Sequence, residues 1–176
     1  VESDEAKTKS KSPHLEEYFK SIYQQIQKDR AKAKARKLPD YRVPLCYKEK
    51  QSFYIRPVDY FLSLRFSNKQ DPNQAYLPDV FVWSPLSLTD KPIMCPTCPG
   101  SKLTDHGWAS NPCARRVVDV DRSFYIMSTR LWCSEHKGSW TASLDEVLAM
   151  CPLEVQQQFP AVYTHRGAIS KTLARL

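Results

Sequence analysis

The sequence predicts an α+β domain with a β-hairpin core, appended helices and an N-terminal amphipathic helix. Three observations predict it. Two pairs of soft ligands, Cys95-Pro-Thr-Cys98 and Cys133-Ser-Glu-His136, flank an insert of 34 residues. The insert holds two β-rich runs around a turn. Ahead of both pairs runs a stripe of apolar residues at helical spacing.

Residues 1–11 are charged, small and polar without period, which predicts a flexible tail. Ser12-Pro13 then suits an N-cap and first helical position, with Glu16 and Glu17 in the first turn. Leu15, Tyr18, Phe19, Ile22, Tyr23 and Ile26 recur every third or fourth residue, so a helix is expected over 12–37. The stripe suits docking on the aromatic segment 53–66 or on a protein partner. The same helix ends in Lys32, Lys34 and Arg36, and Pro39 stops it. Those cations suit phosphate contacts, a nuclear-import signal or a merely solvated helix end.

Pro39, Pro44 and mixed charge make 38–52 a linker, and lone Cys46 in it a structural or incidental thiol. From Phe53 to Phe66 the chain turns apolar and aromatic, and Pro57 can start a short helix through Tyr60, Phe61, Leu62 and Leu64. Ser67 to Gln74 is a polar loop with a turn at Asp71-Pro72-Asn73. Val80-Phe81-Val82-Trp83 is a core strand ended by Ser84-Pro85.

A Cys-x-x-Cys turn lets two thiolates reach one ion while backbone N–H groups point at the sulfurs. Pro96 and Pro99-Gly100 suit so tight a turn. Cys133-x-x-His136 completes a closed Cys3His set, the chemistry of structural Zn2+. A redox dithiol would need a βαβ context that is absent. His106 and Cys113 are spare ligand types, and either could replace His136. Between the pairs, Arg115–Val120 alternates, Asp121-Arg122-Ser123 is turn-like, and Phe124–Met127 resumes a strand running to Cys133. Two such turns around a hairpin make a zinc ribbon, and the metal supplies what a small core cannot. Arg115 and Arg116, adjacent on a strand, project to opposite faces. With Arg122 and Arg130 they make the ribbon a candidate nucleic-acid surface.

After the second pair, Ser143 and Glu146 read as a capping box for a helix bearing Leu144, Val147, Leu148 and Cys151. Pro152 and Phe159-Pro160 interrupt the chain, and Ala168–Leu176 reads as a final basic helix. His165 suits a cap or the surface.

Composition sets outer bounds. With 176 residues, 41% of them hydrophobic, the chain can bury a core, and its formal charge of +7 favours an acidic partner such as nucleic acid. Six cysteines in this pairing, without a secretory segment, argue for reduced thiols. No apolar run reaches the roughly 20 residues that cross a bilayer. The chain opens on Val1, so an excised fragment is expected. No nucleophile elbow, Walker loop or His-Glu-x-x-His motif occurs, and a closed four-ligand ion leaves no position for water activation. A non-enzyme is expected.

The order Val80-Phe-Val-Trp83-Ser-Pro85-Leu86, Cys95-Pro-Thr-Cys98, Gly107-Trp108, Arg115-Arg-Val-Val-Asp119, Tyr125, Cys133, Phe159-Pro160-Ala161 and Thr164-His-Arg166-Gly-Ala-Ile169 carries a resemblance. It resembles a domain of unknown function found in eukaryotic transposon-associated proteins, sometimes beside a Werner-type 3′–5′ exonuclease domain. The resemblance covers roughly 53–176. That family usually shows Cys-x-x-Cys in the second pair, where this chain has Cys133-x-x-His136. It implies a non-catalytic, DNA-related module in the nucleus. The expected function is nucleic-acid binding, DNA favoured. The alternatives are a protein-interaction module using the helix at 12–37, and an accessory part of an enzyme whose catalytic domain lies elsewhere.

Overall fold

The computed structural model describes residues 13–66, 72–110, 113–164 and 167–176. The expected tail 1–11, the Ser12 cap, most of the loop before Gln74, and His165 lie outside the described residues.

Helix α1 spans Pro13–Ala35. Its stripe turns inward as expected, with Phe19 and Ile22 buried. Of the 53–66 segment Ile55 packs there, but the sheet supplies most of the seat. Phe19 packs on Tyr125 with ring centroids 4.5 Å apart, and Val80, Val82, Trp108 and Met127 complete that core. Periodicity sets which face of a helix is apolar, whereas the sheet decides where that face lands. Tyr18 donates to the Pro78 carbonyl at 3.1 Å, and Arg30 pairs with the buried Asp105 at 3.0 Å.

Residues 38–52, read as a linker, hold helix α2, Leu45–Glu49, with Cys46 buried. The Tyr47 hydroxyl donates to the Val82 carbonyl at 2.8 Å and accepts from the Ser84 amide at 3.1 Å. A side chain that closes two backbone groups of a core strand makes the segment part of the fold.

Strand β1, Tyr54–Ile55, precedes helix α3, Tyr60–Phe66. That helix forms where expected but buries none of its residues, with Phe61 66% and Phe66 77% exposed. Strand β2, Val80–Trp83, is buried throughout. One face meets α1, and the other meets Phe53, Phe159 and the second core. A strand covered on both faces reads as a continuous apolar run.

Then come β3, Thr104–Trp108, β4, Arg115–Val118, β5, Ser123–Cys133, and β6, Gly138–Thr141. Short helices α4, Asp145–Leu148, and α5, Leu153–Gln156, lead to β7, Ala161–Tyr163, and β8, Ala168–Ser170. Eight strands join, with β1-β2-β5-β4-β8-β7 in one path and β3 and β6 both on β5. The long β5 organises the sheet. Its first half lies between β2, parallel, and β4, antiparallel; its second half lies between β3 and β6, both antiparallel.

The architecture is α+β with a mostly β core. The hairpin expected between the ligand pairs exists as β4–β5, but it pairs the half of β5 remote from Cys133. The neighbours of Cys133 are β3 and β6. Two further expectations fail. Ser143 is buried and Leu144 occupies the N-cap of α4 without a side-chain cap, so no capping box forms. Ala168–Leu176 is β8 followed by a 3-10 turn, because strand pairing with β7 and β4 overrides helix propensity. Among the described residues, no helix is long and apolar enough to cross a membrane.

Candidate metal centre and charged surfaces

Cys95 and Cys98 sit on a tight loop between β2 and β3. Buried Ile93 and Leu103 anchor its stem, and the Leu103 amide donates to the Ile93 carbonyl at 2.8 Å. The Cys95 amide donates to the Ser101 carbonyl at 2.8 Å, and the Ser101 amide to the Cys98 carbonyl at 3.1 Å. Gly100, at φ 84°, turns the chain where a Cβ would be strained. Cys133 ends β5, opposite Gly138 on β6, and His136 lies in the intervening turn.

All four ligand atoms lie within 4.8 Å of one another. His136 Nδ1 is 3.2 Å from Cys98 Sγ and 3.7 Å from Cys95 Sγ. A tetrahedral ion at ordinary zinc–sulfur and zinc–nitrogen lengths would set such pairs about 3.5 Å apart. Oxygen donors surround the sulfurs: Thr97 Oγ1 is 3.5 Å from Cys95 Sγ, and Ser101 Oγ is 3.3 Å from Cys133 Sγ. The Cys95 thiol is pushed down to about 6. Burial raises it, but the Thr97 hydroxyl, the Thr97 and Cys98 amides and the Cys133 side chain together outweigh burial. Cys98 is pushed up, by burial and by its sulfur neighbours. A cluster that favours one thiolate but resists several suits a cation that supplies the missing charge.

Gly138 completes the cradle. A Cβ there would overlap His136 Cδ2, so glycine leaves the ring room to reach the sulfurs. These four residues can hold a metal ion. His106 and Cys113 are not among them. His106 stacks on Trp132, and Cys113 lines a separate small cleft. Thr97, Ser101 and Gly138 escaped the sequence reading, although small hydroxyls and a glycine inside ligand turns were a usable signal.

The ribbon arginines do not form one surface. Arg115 lies over the Tyr163 ring, 4.2 Å from its centroid. Arg116, on the opposite side of β4, donates to the Ser123 hydroxyl at 3.0 Å. Arg122 pairs with Asp79 at 3.4 Å, sharing that carboxylate with Arg56 at 3.7 Å. Arg130 lies on the metal half of β5 and bonds the Ser139 hydroxyl. Lys32, Lys34 and Arg36 are all exposed at the end of α1. No carboxylate among the described residues pairs with any of the three.

The fold and site define an α+β domain with a Cys3His cluster able to hold a metal ion. Residues 45–176 match the family model described as a domain of unknown function, DUF6729, and the chain belongs to that family. No curated protein and no solved structure matches the chain.

Proposed function

We propose that this chain is a non-catalytic, zinc-stabilised module that binds nucleic acid, DNA foremost, within a larger nuclear, transposon-related or chromatin-associated protein. Zinc is the ion that three thiolates and one imidazole in a closed tetrahedral set favour, and its role is to hold the fold. The observation that carries the reading is the end of α1, where Lys32, Lys34 and Arg36 stand exposed without carboxylate partners in a chain of formal charge +7. Phosphates are the ligands such a surface attracts. Arg116 and Arg122 add contacts of lower weight, because each already has a partner.

The test is a salt series on a DNA duplex. Each neutralised phosphate contributes about −0.9 to the slope of log affinity against log salt, so replacing Lys32, Lys34 and Arg36 by Ala should flatten it by about two units. Zinc content and melting temperature should not move.

A groove of about 540 Å3 favours a second reading, a protein-interaction module. Leu38, Val43, Leu45 and Trp108 line it, beside Lys32 and Arg36. An apolar floor with a basic rim fits an acidic, amphipathic segment of a partner. Absence of salt-sensitive binding to any DNA or RNA would leave this reading in possession.

A further inference from the structure

Arg115 was expected among surface contacts, yet it sits at a concave place. A cleft of about 130 Å3 opens on the side of the sheet opposite α1, between β4–β5 and β7. Arg115, Cys113, Ser128, Thr141, Ser143 and Tyr163 line it. The Arg115 guanidinium carbon lies over the Tyr163 ring, 4.2 Å from its centroid. No carboxylate among the described residues pairs with it. Stacking holds the planar cation in place and leaves its N–H donors free for an acceptor.

A second observation points the same way. Tyr163 Oη is shielded from solvent and has no hydrogen-bond partner among the described residues. Burial, with the Asp145 carboxylate, pushes the phenol up; Ser143 and Arg115 offset part of that rise, but Ser143 does not meet Oη in hydrogen-bond geometry. A buried hydroxyl left unpaired is costly, and an acceptor that reached it would recover that cost. Arg115 and Tyr163 thus both line a space large enough for a tetrahedral oxyanion and too small for a base or a peptide side chain of any length. Among the described residues no carboxylate lines the cleft, and Asp145 acts on Tyr163 from outside it.

We propose that the Arg115–Tyr163 cleft binds one phosphate monoester, the terminal phosphate of a nucleic-acid strand. The inference rests on the nucleic-acid reading above and deepens it. Lys32, Lys34 and Arg36 hold backbone phosphates without regard to position, whereas this cleft admits only a phosphate at a strand end. A phosphodiester inside a duplex carries a sugar on both sides and cannot enter a pocket closed by the Tyr163 ring. A monoester has three free oxygens, enough to meet the Arg115 fork and the Tyr163 hydroxyl together.

The experiment compares fluorescent oligonucleotides identical except for a 5′-phosphate, a 3′-phosphate or hydroxyl ends, titrated with the zinc-loaded chain. One phosphorylated end should bind at least tenfold more tightly than the hydroxyl form, the scale of one hydrogen-bonded charge pair. Tyr163→Phe keeps the ring under Arg115 and removes only the hydroxyl; it should lose most of that preference. Arg115→Gln should abolish the preference while leaving the affinity for hydroxyl-ended strands within twofold. Equal binding of all three ends by the wild type overturns the cleft as a phosphate site and leaves the nucleic-acid reading standing. Equal preference in wild type and Tyr163→Phe, with Arg115→Gln unfolded, overturns it too. No binding of any strand overturns both.

Discussion

The two halves of β5 are one strand held by different means. The first half lies under α1 and against a cluster of large rings, with Phe81 to Phe159 at 6.2 Å and Trp83 to Phe159 at 5.1 Å. The second half ends at Cys133 among short loops, where Ile93, Leu103 and Leu131, with Trp140 against them, extend the same core with smaller side chains. Aromatic burial is enough to hold one end, since each large side chain removed from water contributes about 1.5–3 kcal/mol. Two loops and three short strand segments offer less to bury, and on the proposed reading an ion held by the Cys3His cluster would add to their stability. The proposed ion would therefore matter most to one end of a strand whose two ends share a core.

The sharpest way to break that contrast is Cys133→Ser. Structural zinc contributes on the order of 10 kcal/mol of apparent binding free energy at comparable sites. Metal analysis should find the ion lost, and hydrogen exchange should speed up across β3 and β6 well before it does in β2. A metal-free variant with an unchanged melting curve would show that the second half needs no ion.

Phe19→Ala attacks the other half. It removes a fully buried ring at the α1 seat, and denaturant titration should show a loss of about 3–5 kcal/mol. Metal stoichiometry should stay the same, because Phe19 belongs to the core on the α1 side of the sheet. Gly138→Ala has the smallest expected effect. Its methyl would displace the His136 ring, and chelator competition should read metal affinity about 10- to 100-fold weaker, the usual result of disturbing a ligand's orientation. The α1 half should melt as before in the zinc-loaded protein.

The ligands were legible because spacing alone brings a Cys-x-x-Cys turn onto one ion. The α1 stripe and β2 were legible for the same kind of reason: period and length. Other features depend on partners far along the chain. Nothing around Tyr47 reports that its hydroxyl closes the Val82 carbonyl, so 38–52 looked like a linker. Strand β3 contains Gly107 at φ 90° and shifts register between Asp105 and Trp108, which erases its alternation. Ala168–Ser170 joins the sheet through β4 and β7, a non-local choice that local propensity does not carry. The candidate nucleic-acid residues were legible as charges but not as a surface. Whether Arg122 is free or bound to Asp79 is decided by β1 and β2.

Alternation along β5 has a consequence for which genetic changes the domain can absorb. Phe124 and Ile126 share a core with Leu131 and Cys133, although their parity differs; the offset falls at Ser128 and Thr129, both buried. Substitutions along the strand can be taken up one side chain at a time. A codon inserted or deleted cannot, because the displaced register must go to one end. If the metal end moves, Cys133 turns away from its companions; if the far end moves, Phe124 turns toward α1. Drift in this stretch is thus confined to letters and closed to length, and frame-preserving indels should accumulate in the connections on either side of it.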